Sequence, residues 1–282
     1  MNTPFLKKYQ PFFLKDFIIN KEYVDLIRTL ININNLNILF IGNTGSGKST
    51  LIYAIIREYY KCGTIPVNNI LSINNVKDQG IHYYRSEVKT FCQTPSIIPK
   101  KKKFVIIDDI DSINEQSQQV FRNCIDKYSH NVHFLASCSN TQKVIESIQS
   151  RNILIKIKPI TKINLIDIFN NIKNNEKLVI DNEAEKFILN ICNDSIRLLI
   201  NYLEKFKLLN KPIDEKMAKD VCTNISFYSF EEFTKNWYIQ KNLVESIKNI
   251  YSVFLKGYSV MDILDSYFIF IKLTNIIPEK LK

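Results

Sequence analysis

The sequence lacks a long apolar run and uses cysteine and glycine sparingly. No uninterrupted apolar stretch approaches the roughly 20 residues that a membrane-spanning helix needs. No two cysteines have metal-ligand spacing, and no signal peptide precedes them. We therefore predict a soluble, intracellular protein with reduced and mostly buried thiols. The cysteines stand singly, at positions 62, 92, 124, 138, 192 and 222.

The charge is strongly positive. The net charge is +10 and the isoelectric point is about 9.1. A surplus of this size favours nucleic acid or an acidic partner. The chain is also rich in Ile, Asn and Lys, which an AT-rich genome alone would produce, so the charge is supporting evidence only. The lysine run 100–103 is interpreted as a solvated loop, with phosphate contact as the alternative.

Two kinds of pattern divide the chain. With 282 residues and 45% hydrophobic content, it is long enough for two or three domains. The first half alternates short β-rich apolar runs with helical stretches such as Thr50–Tyr60 and Gln116–Tyr128, which predicts an α/β fold with a parallel sheet. After Pro159 only helical patterns follow. The predicted strands are Leu36–Ile41, Ile70–Ile73, Phe104–Ile107, Val132–Ser137 and Ile153–Lys158.

A phosphate-binding loop follows the first predicted strand. Residues 42–49 read Gly-Asn-Thr-Gly-Ser-Gly-Lys-Ser and fit the pattern G-x-x-x-x-G-K-[ST] in full. Glycines let backbone N–H groups approach phosphates, and the following helix points its positive end at them. Lys48 supplies a cation, and the Ser49 hydroxyl is a Mg²⁺ ligand. The stretch therefore predicts an ATP site built from Gly42, Asn43, Thr44, Gly45, Ser46, Gly47, Lys48, Ser49 and Thr50.

An acidic turn follows the third predicted strand. Asp108 ends an apolar run and is predicted to complete the Mg²⁺ site with Ser49. Asp109 stands where many such ATPases carry the glutamate that orients the attacking water. Because aspartate is one methylene shorter, its carboxylate falls about 1.5 Å short. Such a misplacement can lower a rate by about 10²-fold, so slow or partner-dependent hydrolysis is one expectation.

The chain resembles the small subunits of replication factor C, the sliding-clamp loaders of eukaryotes, archaea and viruses. The likeness begins at Lys8-Tyr-Gln-Pro11, similar to the family's K-Y-R-P motif, and implies that Tyr9 and Pro11 pack by the adenine. Asp108-Asp-Ile-Asp111 is similar to the D-E-A-D box. The resemblance extends over nearly the whole sequence, and the AT-rich bias would suit a large DNA virus.

Three further positions take roles from this resemblance. The sensor-1 position falls on Ser139 with Asn140 beside it, and the sequence does not choose between them. Arg151, in Gln149-Ser-Arg151, corresponds to the arginine finger inserted into a neighbouring subunit's ATP site. Arg197, in Asp194-Ser-Ile-Arg197, corresponds to the sensor-2 arginine. Gly80-Ile81 and the segment from Arg85 resemble the family's DNA-facing region, which implies DNA contacts by Arg85 and Lys89. Gln118 to Arg122 is similar to the family helix that couples DNA binding to the ATP site, which adds Arg122 as an implied DNA contact.

The resemblance also implies an architecture and a function. We expect an AAA+ P-loop NTPase domain with a five-stranded parallel sheet (1–158), a helical lid (159–224) and a shortened all-helical collar (225–282). The implied function is an ATPase, with ATP and Mg²⁺, that helps to open a sliding clamp and place it on primer–template DNA. The implied partners are the other subunits of a hetero-oligomeric ring, a pentamer in the family, at a nuclear or cytoplasmic viral replication site, with no membrane.

Two alternatives remain open at this stage. One is a structural subunit that binds ATP but hydrolyses it poorly, motivated by Asp109 and Ser139. The other is a different AAA+ ATPase of the initiator or helicase class. Such proteins are expected to carry an added DNA-binding domain, and no helix-turn-helix signal is apparent in this sequence.

Overall fold

The chain forms two compact units. The computed structural model describes residues 3–17, 21–73, 84–192, 195–222, 225, 227–274, 276, 278 and 279. One unit is Tyr9–Ile160, and the other combines Met1–Lys8 with Thr161–Lys282. Below they are called the α/β unit and the helical unit. No helix within the described residues is long and apolar enough to cross a membrane.

A five-stranded parallel sheet forms the centre of the α/β unit. Its strand order is β2-β3-β4-β1-β5. All five predicted strands are present, with ends that differ from the prediction by up to two residues. The strands are β1 (Ile38–Ile41), β2 (Ile70–Ile73), β3 (Lys103–Ile107), β4 (Val132–Cys138) and β5 (Ile153–Lys156).

The central strands are apolar on both faces because helices cover both. Successive residues of a strand point to opposite faces. Accordingly, Leu39 and Val105 belong to one buried cluster, whereas Phe40 and Phe104 belong to the other. Strands buried on both sides read as continuous apolar runs, which is why the sequence shows them.

Helices of the α/β unit connect the strands. The loop after β1 leads directly into α3, and α5 lies between β3 and β4. Asn114 caps α5 by accepting a hydrogen bond from Ser117 N–H. Five residues, Tyr84–Val88, form a π-helical segment before α4. The helices are α2 (Lys21–Ile33), α3 (Lys48–Tyr60), α4 (Lys89–Gln93), α5 (Glu115–Tyr128) and α6 (Glu146–Gln149).

The helical unit includes the N-terminal helix α1 (Phe5–Lys8). Lys8 Nζ donates to the Glu176 carboxylate at 2.6 Å, which fastens α1 to α7. Ser259 and Asp262 form a capping box at the start of the last helix, and Gly257, shortly before it, has a φ of +94°. The other helices are α7 (Lys162–Glu176), α8 (Asn182–Ile191), α9 (Ile196–Leu209), α10 (Glu215–Cys222), α11 (Phe227–Thr234), α12 (Leu243–Phe254) and α13 (Val260–Leu273). A boundary between lid and collar within this unit stays a prediction.

The lysine run 100–103 is not simply solvated. Lys103 is only 3% exposed, and its ammonium donates to Phe91 O at 2.8 Å. The ammonium groups of Lys101 and Lys102 donate to backbone carbonyls of Tyr59 and Ser129. The solvated-loop prediction is therefore wrong for Lys103, because its charge satisfies backbone oxygens inside the fold.

Candidate nucleotide site

The loop between β1 and α3 has the backbone of a phosphate cradle. Gly45 and Gly47 have φ values of +79° and +87°, which glycine adopts readily. A Cβ on Gly42 would lie 3.0 Å from Ser46 Oγ and 3.3 Å from Ile157 O, so a larger residue would crowd the loop. Helix α3 begins at Lys48 without a side-chain cap. Its positive end therefore remains suited to an anion.

Lys48 lies inside this loop. It is 6% exposed, and its ammonium donates to Gly42 O at 2.8 Å and to Asn43 O at 3.0 Å. Ser46 Oγ is buried and has no hydrogen-bond partner among the described residues. A buried cation and an orphaned hydroxyl within one glycine-containing loop fit a bound polyphosphate.

Ser49 and Asp108 meet at the carboxyl edge of the sheet. Ser49, at the start of α3, donates from Oγ to Asp108 Oδ2 at 2.7 Å. Asp108 follows β3, and its N–H donates to Ile73 O of the neighbouring strand. A hydroxyl and a carboxylate in contact beside a phosphate loop are oxygen ligands of the kind that Mg²⁺ takes with nucleotides. The donor set therefore fits the ion.

Asp109 lies in a strained turn held by a residue that the sequence reasoning missed. Its φ and ψ are +51° and +54°, a left-handed conformation that aspartate tolerates better than most residues. Its N–H donates to Ser137 Oγ at 3.0 Å, and that hydroxyl donates in turn to Asp108 Oδ1. Ser137 lies on β4, beside β3, so only the strand order would have revealed it.

Asp111 organises the loop that carries both sensor-1 candidates. Its Oδ2 accepts hydrogen bonds from Ser139 N–H, from Ser139 Oγ at 2.7 Å and from Asn140 N–H at 2.9 Å. Burial raises the pKa of Asp111, but these hydrogen bonds outweigh it, so the pKa lies below its ordinary value. The Asn140 amide oxygen accepts from Gln142 N–H. Both candidates are thus engaged within the loop.

Comparisons with known proteins agree with this geometry. Residues 38–158 match the family model "ATPase family associated with various cellular activities (AAA)". Replication factor C subunit 5 of Homo sapiens is 26% identical over 272 residues, which are 96% of this chain and 79% of the relative. The replication factor C small subunit of Saccharolobus solfataricus is 31% identical over 216 residues, 76% of this chain and 64% of the relative. The chain thus carries an AAA-family ATPase domain and is similar over nearly its whole length to replication factor C small subunits.

Solved structures show the same fold. The Holliday junction branch-migration motor RuvB of Thermotoga maritima superposes with a TM-score of 0.59 at 13% identity, covering 83% of this chain and 80% of that one. Identity this low is evidence for the fold alone. The predicted AAA+ fold, with helices after a five-stranded parallel sheet, is confirmed.

Arg151 of this AAA+ chain is held by its own subunit. Its guanidinium forms an ion pair with Asp126 of α5, and its Nη1 donates to Ser147 O at 2.8 Å. The hydrogen bond from Arg151 lowers the pKa of Asp126, with smaller contributions from the charges of Arg151 and Arg122. The arginine is one-third exposed. It is therefore both anchored and accessible.

The adenine candidates lie before the first strand of the α/β unit. Tyr9 and Pro11 are partly buried, and Gln10 Nε2 donates to Thr50 Oγ1 at 3.4 Å. Thr50 is on the first turn of α3, so this hydrogen bond connects the segment to the phosphate-loop helix. Asn43 and Thr44, at the tip of the loop, are exposed.

The remaining candidates lie away from the phosphate loop in sequence. Arg85 and Lys89 are both exposed, in the π-helical segment and in α4. Arg122 of α5 forms an ion pair with Asp126 at 3.6 Å. Arg197 is exposed on the first turn of α9, in the helical unit. The motif residues Asp194, Gly80 and Ile81 lie outside the described residues.

Proposed function

We propose that this protein is an ATP-dependent clamp-loader subunit that helps to open a sliding clamp and place it on primer–template DNA during replication. The observation that carries the proposal is the 2.7 Å contact between Ser49 and Asp108, beside the loop of residues 42–49. The homology to replication factor C small subunits supplies the cellular process.

Different residues of the site would bind the phosphates, the metal ion, the adenine and the attacking water. The loop amides and the amino end of α3 would bind the β- and γ-phosphates of ATP, and the Lys48 ammonium would turn from the loop carbonyls toward them. Ser49 and Asp108 would hold Mg²⁺, which neutralises phosphate charge when bound. Tyr9 and Pro11 would pack against the adenine. Asp109 would orient the attacking water.

The second half of each site would come from a neighbouring subunit. In a ring, Arg151 would enter the neighbour's ATP site, where a cation supplied in trans is worth about 10³–10⁵ in rate. Its anchor to Asp126 and Ser147 would fix the direction in which it projects. Arg197 would report the γ-phosphate from the helical unit.

DNA would be held by its backbone. Arg85, Lys89 and Arg122 are the proposed contacts, and the net charge of +10 would strengthen the attraction to a polyanion. Phosphate contacts position a protein without reading sequence, which suits a machine that acts at any primer end. We place this activity where DNA is replicated, in the nucleus or a viral replication site.

Co-purification tests the proposal. The chain is mixed with candidate partner subunits, candidate sliding clamps, primed DNA and a slowly hydrolysed ATP analogue, and the retained proteins are identified. We expect a complex that contains a clamp only when the analogue is present. The Lys48→Ala variant is the matched control. Failure to retain any clamp would overturn the clamp-loading proposal and leave the ATPase assignment intact.

A second candidate is a structural subunit that binds ATP but hydrolyses it slowly. It is favoured by the short side chain of Asp109 and by the Ser139 hydroxyl, which is bonded to Asp111. Single-turnover hydrolysis in the assembled complex separates the two candidates. If wild type turns over briskly and depends on Lys48, the structural candidate is wrong. If Asp109→Glu raises a slow rate about 10-fold or more, carboxylate reach was limiting.

A further inference from the structure

The hydroxyl of Ser137 joins the two acidic residues of the nucleotide site. Ser137 is 0% exposed and is the second-to-last residue of β4. Its Oγ donates to Asp108 Oδ1 and accepts from Asp109 N–H. The hydroxyl thus acts as donor to one residue and as acceptor for the next in the turn after β3.

The register of the sheet explains the contact. β3 and β4 are parallel neighbours in which Ile107 is paired with Ala136. The next residues along the two strands are Asp108 and Ser137, so the hydroxyl and the carboxylate emerge side by side. A residue without a hydroxyl at position 137 would leave the Asp109 N–H without this acceptor.

We propose that Ser137 is a positioning residue that orients the Asp108 carboxylate for Mg²⁺ and fixes the turn that aims Asp109. With Oδ1 bound to Ser137, the other oxygen, Oδ2, faces Ser49 at 2.7 Å. The hydrogen bond from β4 thus orients the two proposed metal ligands toward each other before any metal binds. The same hydroxyl stabilises the left-handed conformation of Asp109. The inference rests on the proposed Mg²⁺–ATP site.

The matched variants are Ser137→Ala, Ser137→Thr and Ser112→Ala. Threonine keeps the hydroxyl and suits a β-strand. Ser112 is the control, because its hydroxyl donates to the Asp109 carbonyl at 2.8 Å in the same turn, whereas the Ser137 hydroxyl accepts from the Asp109 N–H. Binding of a fluorescent ATP analogue is titrated with Mg²⁺ and, separately, in EDTA.

Mg²⁺ should strengthen binding of the ATP analogue, and in Ser137→Ala we expect the Mg²⁺ concentration that gives half of this effect to rise about 10-fold. This is the size expected for loss of one hydrogen bond to a charged group. Binding in EDTA should stay within about twofold, and Ser137→Thr should return the Mg²⁺ requirement to the wild-type value. A general loss of structure would weaken binding with and without Mg²⁺ alike. Unchanged Mg²⁺ dependence in Ser137→Ala would overturn the inference.

A second readout needs no nucleotide. Hydrogen exchange of the Asp109 amide in the free protein should speed up at least about 10-fold in Ser137→Ala and not in Ser112→Ala. An unchanged Asp109 rate would refute the positioning role even if wild type bound no nucleotide. A wild-type chain that bound no nucleotide would instead refute the proposed function, so the two failures are distinguishable.

Discussion

The buried histidine of β4 should make the α/β unit acid-sensitive. His133 is 1% exposed, and its ring packs edge-on against Tyr59 with centroids 5.4 Å apart. Its Nδ1 accepts from Leu36 N–H, so Nε2 carries the proton and faces Asn34 Oδ1 at 3.1 Å. A second proton, on Nδ1, would point at the Leu36 N–H and remove its hydrogen-bond acceptor. Burial, with a smaller contribution from Lys102, lowers the pKa of His133 to about 3.

The sign and size of the effect follow from linkage. In the unfolded chain the pKa of histidine is about 6.5, so below that pH the unfolded state takes up a proton that the folded state refuses. The free energy of unfolding therefore falls as pH drops from about 6.5 toward about 3. At about 1.4 kcal/mol per pKa unit, His133 accounts for a loss of about 2 kcal/mol between about pH 6 and about pH 4.5.

Hydrogen exchange of the β1 and β4 amides measures this loss within the α/β unit, without assuming that both units unfold together. The variant His133→Gln keeps polar atoms at the site but does not titrate. We expect it to lose about 2 kcal/mol less than wild type over the same pH range, because carboxylates shared by both proteins cancel in the comparison. Equal losses in the two proteins, or a histidine NMR titration of His133 near its ordinary pKa, would refute the reasoning.

Three other substitutions test the site. Asp111→Ala removes three hydrogen bonds from the loop of Ser139 and Asn140, so the ATPase kcat should fall about 10-fold while ATP affinity changes less than about twofold; an equal loss of affinity would contradict a role confined to hydrolysis. Asp126→Ala removes the ion pair that anchors Arg151 and leaves, among the described residues, only its hydrogen bond to Ser147 O. Hydrolysis by the assembled complex should therefore fall about 10-fold with unchanged ATP binding by the free subunit, and identical rates in the complex would count against the role of Arg151 as a finger. Gly42→Ala places a Cβ 3.0 Å from Ser46 Oγ, so calorimetry should show weaker ATP binding by about 1 kcal/mol or more, whereas full affinity would show that the loop yields.

The sheet could be predicted because its strands are buried on both faces and read as apolar runs. The ends of the strands could not be predicted, because hydrogen bonds of polar groups determine where each strand begins and ends. β1 begins at Ile38 rather than Leu36, since the Asn37 side chain accepts from Phe134 N–H. β4 runs on to Cys138, whose carbonyl accepts from Gly42 N–H across to β1. Such cross-strand contacts are set by strand order, which periodicity does not reveal.

The nucleotide site likewise has a part that local sequence patterns predict and a part that depends on contacts between strands. The phosphate loop and Asp108 are local patterns and were predicted from the residues. Ser137 was missed as a site residue, and the role of Asp111 at the sensor loop was not foreseen, because each acts across the boundary between β3 and β4. Arg151 has no local signature, and its interpretation depends on the resemblance to replication factor C. The ion pair with Asp126, 25 positions earlier in the chain, appears only once α5 is in place.

ATP binding and hydrolysis by the purified chain, alone and with partner subunits on primed DNA, test the central claim most directly. We predict Mg²⁺-dependent ATP binding by wild type, weakened about 10–100-fold in Lys48→Ala through loss of charge-assisted hydrogen bonds to the phosphates. ATP hydrolysis should be lost in the same variant. Wild-type binding that is unaffected by Lys48→Ala, or no binding at all, would contradict it.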